Sequence, residues 1–523
     1  MNFFRLWFYK NISSINYLVI FLFFIYAIFI TRYNYDGHHI GLIYSNSLDL
    51  INNKLPYKDI YIQYGLLTTI INSLILLIFN DKIFFIILFN SIFYSFGVLF
   101  ISKTIKQFTN VKLALFSTII ILFNHPIPWL PWSNYIAFFF ISIGLFLLSK
   151  DKKNYFIIGF LFGASILSRQ DFFFPIFVSI IIFCLFLFFQ NYKFELKKTT
   201  LFFLGLLFPL SIFIIYLFSV NLFEYWIEYL SLPSIYLEIY KTSISKLILE
   251  YIIFFTSESF FSFIVIPQYF LISIILIFNT IILFLFVCKK IKINKEILFI
   301  LLIGNFLSAV SLKIELFRLY TSVIFGLIGL LYFINRINNN DLRKKLLLLL
   351  LLPSFFSFCF YPMGNNNSFK KINFTSSNLT IDSDNFDYLV LPEQKIKIVN
   401  IINNLSKKCD VNYLENLTWD TIYSTIGNYD RIRAFPYAQF KELTYKQNDL
   451  IENIKNPNLS FINLINNEIE DSNIILLITG NNNHYKKDKI NLESNYNMIE
   501  IDENNTKGKP QILRIYFPNK CNI

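Results

Sequence analysis

Charge is scarce in this sequence: Asp, Glu, Lys and Arg make up only 15% of 523 residues. Hydrophobic residues make up 55% and aromatic residues 19%, too apolar a balance for a soluble protein of this size. No P-loop, no Gly-rich dinucleotide fingerprint and no Cys/His zinc spacing occurs, so the sequence signatures of nucleotide and structural zinc binding are missing. No internal repeat is visible, which speaks against a transporter. No small-residue cleavage site follows the first apolar run, so that run is expected to stay as an anchor. The formal charge of +12 invites a nucleic-acid partner, but its distribution argues for none. The cations fall in short clusters between apolar runs, as in cytoplasmic loops.

What is present is a series of apolar runs near bilayer length, continuing to about residue 361. The clusters are Arg5/Lys10, Lys103/Lys106/Lys112, Lys150/Lys152/Lys153, Lys193/Lys197/Lys198, Lys289/Lys290/Lys292/Lys295 and Arg336/Arg343/Lys344/Lys345. Placing all six inside gives eleven spans: 17–31, 83–102, 112–124, 135–149, 155–169, 173–190, 200–219, 263–287, 297–312, 319–335 and 346–361. The chain then starts in the cytoplasm and ends outside. Gly65 to Asn80 is left over; counted as a span, it would put the Lys103 cluster on the wrong side. It is short and carries Thr68, Thr69, Asn72 and Ser73, so it is expected to be a re-entrant or interfacial segment whose backbone ends are covered by protein.

From about residue 362 the composition shifts to Asn, Ser, Lys and Asp, after a linker at Pro362, Gly364 and Asn365-Asn366-Asn367. The expected division is a transmembrane domain over 1–361 and an extracytoplasmic domain over 362–523, small and α/β. Glu393 to Lys408 has helical periodicity, with Ile396, Val399, Ile402 and Leu405 on one side. Ile474 to Thr479 and Ile512 to Phe517 are expected strands; the residues around Asn416-Leu417-Thr418-Trp419-Asp420 are expected to be helix starts and surface. Cys184, Cys288 and Cys359 lie in or at the end of spans as packing residues. Cys409 and Cys521 share the outer domain, where a disulfide is chemically permitted; the sequence leaves their pairing open.

Reactive side chains gather in the first outer loop. Tyr35-Asp36-Gly37-His38-His39 follows the first span; Leu55-Pro56-Tyr57-Lys58-Asp59 and Gln63-Tyr64-Gly65 come next. An acid with two histidines at the lip of a membrane helix is costly to place and points to chemistry or ion binding. Asp36 can act as a general base or hold a divalent cation, or it ends a helix at the interface. Adjacent His38 and His39 point about 100° apart on a helix. One of them can join Asp36 at a metal or contact a phosphate or sugar hydroxyl. Residues 41–55 read as an amphipathic helix lying in the interface, with Leu42, Leu48, Ile51 and Leu55 alternating with Ser45, Ser47, Asp49 and Asn52.

These features together resemble the GT-C superfamily of integral-membrane glycosyltransferases. They are an acid at the end of the first span, a loop helix, a Lys-x-Pro-Tyr-x-Asp turn, and a Tyr-Gly before an apolar segment. The superfamily uses polyprenyl-phosphate sugars and includes the protein mannosyltransferases and the lipid A aminoarabinose transferase. The resemblance covers roughly residues 1–361. It implies that Asp36 is the catalytic acid or base, with Tyr57, Asp59, Gln63 and Tyr64 in the surrounding substrate region. Members often carry a second acid in the next outer loop. Here that loop, His125-Pro126-Ile127-Pro128-Trp129-Leu130-Pro131-Trp132-Ser133-Asn134, has no carboxylate. His125 or Asn134 is the available substitute.

Ser168-Arg169-Gln170-Asp171 falls at an outer span end, where an Arg breaks the positive-inside pattern and needs a partner; Asp171 is near enough. The pair is a structural ion pair or, with Gln170, part of a phosphate clamp suited to guanidinium geometry. Arg318, beside Lys313 and Glu315, is a second phosphate candidate. The loop 220–262 alternates aromatics and charges, and the resemblance implies that it folds over the donor, with Lys241 as the donor contact. The whole points to transfer of a sugar from a polyprenyl-phosphate donor to an extracytoplasmic lipid, glycan or protein acceptor, with inversion, in a bacterial inner membrane. A transporter or flippase for lipid-linked glycans, and a non-catalytic assembly subunit, are the alternatives.

Overall fold

The computed structural model describes residues 2–33, 39–60, 62, 64–125, 133–189, 195–227, 230, 267–310, 320, 323–360, 378–380, 388–411, 413–417, 423, 474–479, 496–504, 510–519 and 521. Its helices are α1 (Asn2–Tyr33), α2 (His39–Ile51), α3 (Leu66–Ile78), α4 (Ile83–Phe108), α5 (Val111–Phe123), α6 (Ser133–Leu148) and α7 (Tyr155–Ser168). They continue with α8 (Phe173–Phe189), α9 (Leu196–Ser219), α10 (Pro267–Val287), α11 (Lys295–Phe306), α12 (Gly326–Asn335), α13 (Asn340–Phe360) and α14 (Glu393–Cys409). Each expected span overlaps one of these helices. Among the described residues, five helical stretches are long and apolar enough to cross a membrane: Asn11–Phe29, Ile83–Phe108, Gln170–Phe188, Leu196–Ser219 and Pro267–Val287. Their outward faces carry bare apolar side chains such as Phe174, Phe188, Ile215 and Phe284, as a lipid-facing surface requires.

Between apolar helices, burial by water exclusion adds nothing in lipid, so contact depends on close approach and interhelical hydrogen bonds. Both devices are present. In α7, Gly159 and Gly163 lie four residues apart and face α9. A Cβ on Gly159 would sit 2.0 Å from the Phe202 carbonyl oxygen, and one on Gly205 would sit 2.0 Å from that of Phe156. Elsewhere, Asn16 donates to Ser102 (2.9 Å), Asn124 to Ser354 (2.7 Å) and Gln268 to Ser357 (2.5 Å). Each bond ties together two helices that are distant in sequence.

The described residues between α1 and α4 form a helical hairpin. α2 and α3 run antiparallel: the Ser73 hydroxyl donates to the Ser47 carbonyl (3.0 Å), and the Tyr44 hydroxyl to that of Asp81 (2.7 Å). With 13 residues, α3 is about 20 Å long, short of a ~30 Å hydrocarbon core. Asn80 and Asp81 both adopt positive φ (54° and 57°) and turn the chain straight into α4, as this residue pair tolerates. The expected interfacial role of 41–55 is corrected. Ser45, Asn46, Ser47 and Asp49 are buried along with Leu42, so the polar side of α2 faces protein rather than water.

The last part is α/β. Strands β1 (Asn378–Thr380) and β2 (Val390–Pro392) pair antiparallel. A second sheet has the order β3 (Tyr413–Leu417), β4 (Ile474–Thr479), β6 (Pro510–Pro518), β5 (Tyr496–Asn504), with β3–β4 parallel and the other pairs antiparallel. Asn416 and Leu417 therefore close a strand rather than start a helix. α14 buries Ile398, Val399, Ile402 and Leu405. Its last residue, Cys409, is disulfide-bonded to Cys521 (Cα–Cα 4.9 Å). The domain meets the helices at Tyr388. Its hydroxyl donates to the Ile28 carbonyl (2.6 Å), its ring lies 4.8 Å from Phe84, and Arg32 sits 5.9 Å over its face.

Candidate functional site

The tip of the α2–α3 hairpin is a turn held by its own polar groups. The Leu55 N–H donates to Asp59 Oδ2 (2.9 Å), and the N–H groups of Asp59 and Ile60 donate to the Leu55 carbonyl (2.8 and 3.2 Å). Lys54 pairs with Asp49 at 3.0 Å. Tyr57, at the centre, has φ 66°, a conformation that a bulky side chain adopts only under constraint, at about 1–3 kcal/mol. The constraint is visible: its N–H donates to the Ile60 carbonyl (3.0 Å), and its ring is buried, edge-on to Phe213 of α9 at 6.3 Å. Phe213 in turn meets Trp226 at 5.5 Å.

This tip docks on the junction of α7 and α8. α7 stops at Ser168, Arg169 is extended, and Gln170–Phe172 form one 3-10 turn before α8. The Gln170 N–H donates to the Tyr64 carbonyl (2.8 Å), and its side-chain amide donates to the Tyr57 hydroxyl (3.0 Å). Thr68 donates to the Ser168 carbonyl (2.9 Å). Gly65 lies so close that a Cβ there would be 2.3 Å from the Leu167 oxygen and 2.6 Å from Ser168. Its φ of −174° is ordinary extended backbone; space, not conformation, demands glycine.

Arg169 is fully buried. Its Nε and Nη2 donate to the two oxygens of Asp171 at 2.6 and 2.7 Å, the two-pronged geometry that favours Arg over Lys. The rings of Tyr64 and Phe172 each lie 5.5 Å from the guanidinium carbon. The Asp171 side chain remains 40% exposed. Arg169 is thus held by the neighbour expected to hold it. Its Nε–Nη2 edge is occupied, so a phosphate reaches that edge only by displacing Asp171.

His125 sits just past α5 and is also buried. Its Nδ1 is 3.0 Å from the Tyr94 hydroxyl and its Nε2 is 3.3 Å from that of Tyr135. A neutral imidazole donates through one nitrogen and accepts through the other, and two hydroxyls complete both roles. His125 is placed here as part of a tyrosine cluster. Asn134, the other substitute for a second acid, is also buried.

Of the residues singled out in the sequence, the structure brings Tyr57, Asp59, Tyr64, Arg169, Gln170 and Asp171 into one region, while His125 bonds to Tyr94 and Tyr135 instead. His39 opens α2. Asp36, His38, Gln63, Lys241 and Arg318 lie outside the described residues. Sequence reasoning passed over Asn90, which donates to Asn72 Oδ1 at 2.8 Å and joins α3 to α4; a lone Asn in an apolar run was the available signal. Among the described residues no three His, Cys, Asp or Glu side chains converge on a possible metal position.

No family model and no curated protein matches the chain. Solved structures do. The oligosaccharyltransferase of Archaeoglobus fulgidus, in complex with Zn and sulfate, is 10% identical with a TM-score of 0.44; the match covers 79% of this chain and 62% of that one. The chain thus spans less than two thirds of that enzyme's length. ArnT from Cupriavidus metallidurans, bound to undecaprenyl phosphate, is 10% identical with a TM-score of 0.49; the match covers 97% of this chain and 98% of that one. At such identities the likeness concerns the course of the chain.

Proposed function

We propose that this chain is a GT-C-type membrane glycosyltransferase that moves a sugar from a polyprenyl-phosphate donor to an acceptor hydroxyl outside the cytoplasm. The observation that carries the reading is the docking of the first-loop turn on the Arg169–Asp171 junction. Two segments separated by 113 positions (Tyr57 and Gln170), each singled out by its residues, meet at one end of α7. A strained, buried Tyr57 in that turn fits a loop whose shape matters for chemistry. The short α3, braced by protein at Gly65 and Thr68, fits an outer re-entrant hairpin. The Cys409–Cys521 bond fits an outer domain over 362–523, in an oxidising compartment.

In this mechanism Asp36 takes the proton from the acceptor hydroxyl. The oxygen attacks the anomeric carbon, the carbon–oxygen bond to phosphate breaks, and the polyprenyl phosphate leaves with the electron pair. One displacement inverts the anomeric configuration. Positive charge near the departing phosphate lowers the barrier; Arg318 and Lys241 are the proposed contacts. Arg169, with Gln170 and Asp171, holds the first-loop turn in place and borders the donor phosphate. His38, His39, Asp59 and Gln63 line the substrate region.

The direct test incubates the purified protein in lipid nanodiscs with a panel of polyprenyl-phosphate sugars and follows free polyprenyl phosphate. Release with one donor, rising with an added acceptor, supports a transferase and identifies the sugar. Tight donor binding without release across the panel would move the assignment to a carrier or a non-catalytic assembly subunit.

A further inference from the structure

The C-terminal α/β region supplies no group to the proposed chemistry, yet one of its side chains is tied to both helices that flank Asp36 in sequence. Residues 34–38, Asp36 among them, lead from the end of α1 at Tyr33 to the start of α2 at His39. Whatever holds those two helices bears on where the proposed base emerges.

Tyr388 holds α1 directly. Its hydroxyl donates to the Ile28 carbonyl at 2.6 Å, across 360 positions of sequence. The acceptor is backbone, so the bond fixes the helix itself rather than a side chain that can turn away. One turn on, the Arg32 guanidinium sits 5.9 Å over the Tyr388 ring, within reach of cation–π attraction. Both contacts fall in the last two turns of α1.

Tyr388 holds α2 by way of a row of rings. Its own ring is 4.8 Å from Phe84 at the start of α4; Phe84 is 5.3 Å from Phe85, and Phe85 stacks on Phe79 at 4.1 Å. Phe79 caps the end of α3. Two residues on, the Asp81 carbonyl accepts from the Tyr44 hydroxyl of α2 at 2.7 Å. The row therefore ends at the base of the α2–α3 hairpin, whose tip is the turn docked on Gln170.

Tyr388 is itself braced. Leu389, next in sequence, and Leu391 within β2 are both fully buried. β2 pairs with β1 and runs straight into α14, which ends at the disulfide-bonded Cys409. A side chain that merely filled the gap between the two parts would serve as well as phenylalanine. The hydroxyl adds a directional bond at the helix end that leads to Asp36.

We propose that Tyr388 is a positioning residue for sugar transfer: through it the C-terminal α/β region sets the end of α1 and the base of the hairpin, and with them the segment that carries Asp36. The proposal rests on the transferase reading. A misplacement of about 1 Å far from the chemistry costs up to about a hundredfold in rate.

The test follows release of polyprenyl phosphate in nanodiscs, over a range of donor concentration, for wild type, Tyr388→Phe and Tyr388→Ala. Tyr388→Phe keeps the ring beside Phe84 and under Arg32 and loses the bond to Ile28. Its kcat is expected to fall about tenfold, with KM and the thermal midpoint unchanged; Tyr388→Ala is expected to fall about a hundredfold. Unchanged kcat in both variants overturns the proposal. A fall in Tyr388→Phe accompanied by a lower thermal midpoint also overturns it, because the residue then only holds the fold together. Hydrogen exchange separates this decision from the transferase reading. In Tyr388→Ala the amides of residues 28–33 are expected to exchange about tenfold faster, with those of α7 unchanged. If wild type releases polyprenyl phosphate from no donor, the transferase reading fails and exchange alone decides the coupling: faster exchange at the end of α1 upholds it, and unchanged exchange overturns it.

Discussion

Arg169 keeps its charge while fully buried, and the structure shows what makes that tolerable: a two-pronged carboxylate and two aromatic faces. Asp171→Ala removes the carboxylate and leaves the Nε–Nη2 edge in a buried setting. The expected cost is about 3–5 kcal/mol, read as a fall in the thermal midpoint of the detergent-solubilised protein. Arg169→Met together with Asp171→Asn is expected to cost less, because no lone charge is left behind. Gly65 gives a second forecast. Gly65→Val sets side-chain atoms against the Leu167 and Ser168 backbone. It is expected to lift the hairpin tip off α7, at about 1–3 kcal/mol, and to remove release of polyprenyl phosphate even where the protein still elutes as one species. The Arg169–Asp171 pairing was legible from sequence because a cation on the wrong side of a span demands a partner two residues away. The reason for Gly65 was not legible. Its neighbours come from α7, about a hundred positions later, and no local pattern announces that contact.

Among the elements, the apolar helices were readable because apolar run length is a local quantity. α2 was not. Its alternation of leucines with Ser and Asp looks like a helix half in water, but Ser73 of α3 donates to its backbone and protein covers its polar side. Alternation records that two faces differ, not which medium each one meets. β3 and β5 were missed for a related reason. β5 reads Tyr-Asn-Met-Ile-Glu-Ile-Asp-Glu-Asn, and β6 supplies its register through pairs such as Ile499↔Ile515. The α7–α9 contact carried a signal that went unread, glycines four residues apart at 159 and 163, the spacing that lets membrane helices approach. Gly159→Leu is therefore expected to separate α7 from α9 and lower the thermal midpoint. Gly144→Ala, whose Cβ would meet side chains and no backbone, the Phe162 ring at 3.0 Å and the Leu161 Cβ at 3.7 Å, is expected to be milder in the same unfolding assay.

At the scale of the whole molecule, the C-terminal α/β region is stapled twice. The Cys409–Cys521 bond closes a separation of 112 residues, a loop long enough for chain entropy to contribute about 4–5 kcal/mol to that domain. Cys409→Ala is expected to unfold the outer sheet at lower denaturant while the apolar helices keep their far-ultraviolet signal; a single unchanged transition would contradict this. Tyr388 then fastens the domain to α1 at Ile28 and Arg32, eight and four positions before Asp36 in the sequence. The docking thus fixes the helix from which the proposed base emerges. The most direct measurement compares wild type with Asp36→Asn, in nanodiscs, for release of free polyprenyl phosphate from a donor that both proteins bind. Release by wild type that falls at least a hundredfold in Asp36→Asn, with donor binding retained, is the predicted result. Equal release from the two proteins would contradict the assignment of Asp36 and the mechanism built on it.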